Sequence, residues 1–176
     1  MAIDELVINL AEEFERSDFY STDSEKVYSS LTDKIEKSKE RVIRLNLGSI
    51  NMFDPGFIKN ALIRLSKYVQ ETYKGEKTLL FTETQSKNLL YSISQLFEEE
   101  KRIFPVVNDL NISLFGYENY GHAALLNLIR VHPKTGVEEI RERIGDEERE
   151  FNKRLDDLRI LGIIKQEEGI YKYIFS

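Results

Sequence analysis

The sequence lacks cysteine and tryptophan, and it has only two histidines, His122 and His132, among its 176 residues. Without cysteine the chain can form no disulfide, no thiolate zinc site and no cysteine nucleophile. Two histidines that do not share a helix face disfavour a multi-histidine metal site. No P-loop, dinucleotide-binding glycine motif or nucleophile elbow is present. We therefore predict no enzyme activity, no metal and no cofactor.

The sequence also lacks an excess of positive charge and a long apolar run. Its 25 Lys and Arg face 31 Asp and Glu, a formal net charge of −6, which argues against a polybasic membrane anchor. The most apolar window, residues 123–131, contains Asn127 and Arg130 and is about half of the roughly 20 residues that cross a bilayer. Its first residues do not resemble a secretory signal. We expect a soluble, cytoplasmic protein.

Residues 1–20 predict an amphipathic helix. From residue 3 to residue 16, apolar side chains recur at helical spacing, namely Ile3, Leu6, Val7, Leu10 and Phe14. Such a stripe must be covered, so we expect Leu6, Leu10 and Phe14 to mediate self-association or to pack on the neighbouring domain.

Residues 21–116 alternate between helix and strand patterns. A helix follows the capping residues at 21–24, and short apolar runs at 42–47, 78–82, 105–107 and 112–115 predict strands. Asp54 and Pro55 are suited to the N-cap and first position of a helix, and Thr84 to the cap of the next one. This order predicts an α/β domain with a partly parallel sheet and covering helices.

A linker is predicted near residue 120, because residues 116–121 contain two glycines and no apolar periodicity. Beyond it the pattern predicts three helices and a hairpin. Gly145 ends the second helix, and Asp146 starts the third, whose buried stripe is Phe151, Leu155, Leu158 and Leu161. The hairpin turns at Glu168-Gly169.

Residues 151–164 resemble the winged-helix consensus, in which a third helix ends in Leu-x-x-Leu-x-x-x-Gly-Leu-Ile before a hairpin. The resemblance covers residues 121–176 and implies DNA binding, with the third helix in the major groove and the hairpin on the backbone. The side chains in place for this role are Arg149, Asn152, Lys153, Lys165 and Lys172.

The ligand of this winged helix stays open, because such domains also dock proteins and acidic residues accompany the basic ones here. Ile160 lies on the outward side of the predicted third helix. It either packs under the hairpin or marks a contact with a protein partner.

Residues 24–115 resemble the STAS-like domains of sulfate transporters and anti-sigma-factor antagonists. The resemblance lies in the strand at 42–47, in Asp54-Pro55-Gly56 with its helix, and in the strand Thr78-Leu79-Leu80-Phe81. In that family a hydroxyl at the helix start is a phosphorylation switch that controls partner docking. Pro55 occupies that place here, so the resemblance implies an interaction module rather than a kinase target.

The sequence thus predicts an amphipathic helix (1–20), a STAS-like domain (21–116) and a winged helix (121–176). We predict a non-enzymatic regulator in which the STAS-like module senses a signal or binds a partner, and the winged helix binds duplex DNA. The alternative is a protein–protein interaction component whose winged helix docks another protein in a larger complex. A protein partner or a homodimer is expected, and no membrane contact.

Overall fold

The computed structural model of the protein describes residues 4–82 and 84–176. The strands are β1 (Glu5–Asn9), β2 (Asp18–Phe19), β3 (Val42–Asn46), β4 (Met52–Phe53), β5 (Thr78–Thr82), β6 (Ile103–Asn108), β7 (Asn111–Gly116), β8 (Ile164–Glu167) and β9 (Ile170–Tyr173). The helices are α1 (Leu10–Phe14), α2 (Ser24–Lys37), α3 (Pro55–Phe57), α4 (Arg64–Tyr73), α5 (Lys87–Glu99), α6 (Asn119–Val131), α7 (Val137–Ile144) and α8 (Glu148–Ile160). A 3-10 turn (Ser21–Asp23) precedes α2, and a π-helical segment (Ile58–Ile63) joins α3 to α4.

Five strands form the central sheet in the order β1-β3-β5-β6-β7. The first four are parallel, and β7 is antiparallel to β6. The predicted partly parallel sheet with covering helices is confirmed. The strands of this sheet follow one another in chain order, while β2 and β4 pair separately. Because parallel crossovers are right-handed, the crossover helices α2, α4 and α5 lie on one face of the sheet.

The start of the chain differs from the prediction. Residues 5–9 form β1, which pairs in parallel register with β3 from Glu5↔Val42 to Asn9↔Asn46. Asn9 then caps the short helix α1, since its side chain accepts a hydrogen bond from the main-chain N–H of Glu12 at 3.3 Å. A long amphipathic helix was therefore wrong for these residues, and Ile3 lies outside the described residues.

The predicted caps have different outcomes. The N-cap role of Asp54 is confirmed, because its side chain accepts a hydrogen bond from the N–H of Phe57 at 2.7 Å and Pro55 follows it. The cap of α5 is Ser86 rather than Thr84: Ser86 Oγ accepts from the N–H of Leu89 at 3.2 Å. The Thr84 hydroxyl instead accepts a hydrogen bond from the N–H of Ser86, in the turn that precedes α5.

Two hydrophobic clusters lie on opposite faces of the sheet. On the first face, the rings of Phe81, Phe97 and Phe104 lie between the strands and α5, with centroids 4.7–6.1 Å apart. On the second face, Val42 and Leu80 belong to a cluster shared with residues of α6, α8 and β9. The C-terminal helices and hairpin therefore cover the face that the crossover helices leave open.

The predicted elements after residue 116 are present, with shifted starts. α6 begins at Asn119, so the predicted linker is shorter than expected. α8 begins after Glu147, and Asp146 forms an ion pair with Arg154 instead of capping the helix. Gly145 ends α7 in the left-handed conformation, as predicted. β8 and β9 form an antiparallel hairpin around Glu168 and Gly169, both at positive φ.

Candidate interaction surface

Helix α8 is anchored at its C-terminal end and exposed along its first turns. Its stripe of Phe151, Leu155 and Leu158 is buried as predicted. Just beyond the helix, Thr78 Oγ1 donates a hydrogen bond to the carbonyl of Gly162 at 2.9 Å, which holds this end against the start of β5. Arg149 and the neighbouring side chains of the first turns lie in solvent.

His122 joins α6 to α8. Its ring is only 1% exposed, with Nδ1 2.9 Å from the carbonyl oxygen of Glu118 and Nε2 2.8 Å from Oδ2 of Asp157. The contact with Asp157 ties α8 to α6, and both ring nitrogens of His122 are engaged.

The structure divides the five predicted DNA contacts into two groups. Arg149 and Asn152 are exposed and, over the part of the chain that the structure describes, form no ion pair or side-chain hydrogen bond. Lys153 Nζ lies 3.4 Å from Oε2 of Glu118. The two hairpin lysines, Lys165 and Lys172, both lie 2.5 Å from the carboxylate of Glu167.

The counter-ions of these lysines are the part of the surface that sequence reasoning missed. The hairpin register places Lys165 directly opposite Lys172, and like charges in that position destabilise a strand pair. Glu167, two residues after Lys165 on the same side of β8, relieves the repulsion. The turn at Glu168-Gly169 fixes this register. The position of Glu167 beside the two lysines could therefore have been predicted from the sequence.

Glu167 carries a pH-dependent contribution to the hairpin. Hydrogen bonds from Lys165 and Lys172 lower its pKa from 4.5 to about 2. Because the folded-state value is the lower one, this carboxylate stabilises the hairpin above about pH 4.5, and the contribution is lost as the pH falls toward 2.

We expect the carboxyl carbon of Glu167 to titrate with a midpoint near pH 2 by NMR, and Lys172→Met to raise that midpoint. Lys134→Met, which removes a lysine outside the hairpin, serves as the control and leaves the midpoint unchanged. A Glu167 midpoint that does not move in Lys172→Met contradicts the shared ion pair.

The four predicted partner-binding residues lie in or beside the chain's own core. Leu10 is fully buried, and Leu6 and Phe14 pack against the first-face cluster. The ring of Phe14 meets that of Phe19 edge-on, with centroids 6.0 Å apart. Ile160 is half-buried in a cleft of about 280 Å³ between α8 and the turn before β6. For Leu6, Leu10 and Phe14 the structure thus shows packing within the chain.

No family model and no curated protein matches the sequence. Within residues 4–82 and 84–176, no group of three or more acidic or histidine side chains is arranged to hold a metal ion. In the same ranges, no helix is long and apolar enough to span a membrane.

Proposed function

We propose that this chain is a non-catalytic regulator, with a STAS-like module that binds a partner and a winged helix that binds duplex DNA. The α/β module is built from the parallel strands with α2, α4 and α5, and the winged helix from α6–α8 with β8 and β9. The order of three helices and a hairpin supports the second assignment. The observation that carries DNA binding is the exposed start of α8, where Arg149 and Asn152 form no ion pair or side-chain hydrogen bond with any of the described residues.

The chemistry of these two residues suits base recognition. Arg149 and Asn152 are three positions apart and so lie on neighbouring parts of one helix face. Arginine pairs with the O6 and N7 atoms of guanine, and asparagine with the N6 and N7 atoms of adenine. In helix-turn-helix proteins the first residues of the recognition helix contact the bases, and the first turns of α8 are the exposed ones.

The acidic neighbours limit the number of phosphate contacts. Glu148 and Glu150 lie in the first turn of α8, and Glu118 and Glu167 hold the lysines described above. We therefore expect a shallow salt dependence, with a log–log slope of about −3 for roughly three phosphate contacts.

The test is fluorescence anisotropy with labelled duplex DNA, selected from a random pool, at about 50 mM and about 200 mM salt. Arg149→Ala/Asn152→Ala is expected to weaken binding by about tenfold or more, since each base contact contributes roughly 1–3 kcal/mol. Glu167→Gln frees Lys165 and Lys172 together and is expected to strengthen binding about 3- to 10-fold. Lys26→Ala removes an exposed cation on the opposite face of the sheet and should leave binding unchanged.

An absence of binding at the lower salt concentration, by both the wild-type protein and Glu167→Gln, contradicts the DNA-binding proposal. Protein docking by the same face is the second candidate. It is favoured by the balanced charge of exposed α8, where Glu148, Glu150 and Asp156 accompany the basic residues Arg149, Lys153 and Arg159. If the face docks a protein, Arg149→Ala/Asn152→Ala is expected to lose a protein partner that can be cross-linked to the wild-type chain.

A further inference from the structure

The two edges of the central sheet differ. Along β7, main-chain groups bond to side chains from other elements. The N–H groups of Ile112 and Gly116 donate to Tyr173 Oη at 3.0 Å and to Ser94 Oγ at 3.2 Å. The carbonyl of Leu114 accepts from Asn119 Nδ2 at 3.0 Å. This edge of the sheet is closed to a further strand.

The β1 edge is open. In the described residues, β3 is the only strand that pairs with β1, and no side chain there bonds to its outer main-chain groups. The strand Glu5-Leu6-Val7-Ile8-Asn9 contains neither proline nor lysine, two residues that often protect an edge. Val7 is 58% exposed. Such a strand is a template for strand addition.

We propose that the occupant of this edge is a second copy of the same chain, paired antiparallel through β1 about a two-fold axis at Val7. In that register Val7 lies beside Val7 of the other copy, Leu6 beside Ile8, and Glu5 beside Asn9. Directly opposed residues in an antiparallel pair lie on the same face of the sheet. Apolar residues therefore meet apolar ones, and no two like charges are opposed.

The groove beside this edge carries charges of both signs at each end. It has a volume of about 700 Å³ and follows β1. At the carboxyl end of the strand, Glu13 forms an ion pair with Lys34 at 3.0 Å. At the other end, Glu40 lines the groove together with Lys37, which pairs with Asp33 at 2.6 Å. Because these charges are balanced within the chain, the second copy is favoured by the register of β1 itself, which pairs with its own copy without opposing like charges.

The test is the mass in solution, measured by light scattering and sedimentation across a concentration series. The wild-type protein is expected to reach twice 20.6 kDa. Val7→Lys and Val7→Glu are each expected to shift to monomer, with at least a tenfold weaker association. Each places two like charges opposite one another at the axis. Mixing the two variants is expected to restore the dimer.

Val131→Lys is the matched control, since Val131 is an exposed valine of equal exposure, 57%, on α6. It is expected to keep the dimer. A wild-type protein that stays monomeric at every concentration overturns the proposal. So does a dimer that persists in both single Val7 variants, or a mixture of folded variants that stays monomeric. Circular dichroism of each variant establishes that it is folded.

Discussion

Gly162→Ala is expected to lower the free energy of unfolding by about 2–4 kcal/mol, through backbone strain and overpacking together. Gly162 ends α8 with φ at +75°, a conformation that a Cβ atom disfavours. A Cβ atom there would lie 2.2 Å from Thr78 Oγ1 and 3.1 Å from the carbonyl oxygen of Gly75. The substitution therefore strains the contact between the end of α8 and the start of β5.

Gly145→Ala isolates the backbone part of this effect. Gly145 has the same φ of +75°, and, its own neighbours along the chain aside, no atom of the described residues lies within 4 Å of the position its Cβ would take. Its loss is expected to be about 1 kcal/mol. Urea unfolding of both variants measures the difference. Equal losses would mean that α8 does not approach β5 as closely as described.

Tyr173→Phe is expected to lower the free energy of unfolding by about 1–3 kcal/mol, because it leaves the main-chain N–H of the buried residue Ile112 without its partner and removes a second hydrogen bond to Leu110. The ring is 4% exposed, and its hydroxyl donates to the carbonyl of Leu110 at 2.7 Å while accepting from the N–H of Ile112 at 3.0 Å. Phenylalanine keeps the packing and removes both hydrogen bonds.

Tyr171→Phe is the matched control on the same strand. Tyr171 is half-buried, and across the described residues its hydroxyl makes no hydrogen bond, so thermal or urea unfolding should show a change near zero. If the two variants lose the same stability, the hydroxyl of Tyr173 does not hold the hairpin to the sheet.

Apart from the two-residue strand β4, which was missed, the helices and strands that follow residue 20 could be predicted because their own side chains specify them. The continuous apolar run Leu79-Leu80-Phe81 predicts a strand, and the structure buries it on both faces of the sheet, as is typical of parallel strands. The order of three helices and a hairpin followed from apolar spacing and from glycines at the helix ends. These are local signals, and the packing agrees with them.

The start of the chain could not be predicted because β1 meets α1 with no turn residue between them. Leu6 belongs to the strand and Leu10 to the helix, yet their spacing of four residues is that of one helix face. The pairing of β1 with β3 joins segments far apart in sequence, which periodicity does not report. The ion pair between Glu118 and Lys153 is hidden for the same reason, since it depends on how α6 meets α8.

The side chains that bond along β7 also set a limit on growth. A subunit that can pair through one edge strand forms at most a dimer, whereas a subunit that can pair through both edges can add copies end to end without limit. Tyr173, Ser94 and Asn119 occupy main-chain groups of β7. They would thereby prevent this chain from forming filaments. A chain that is truncated before β9 would lose Tyr173 and, with it, part of the protection of the β7 edge.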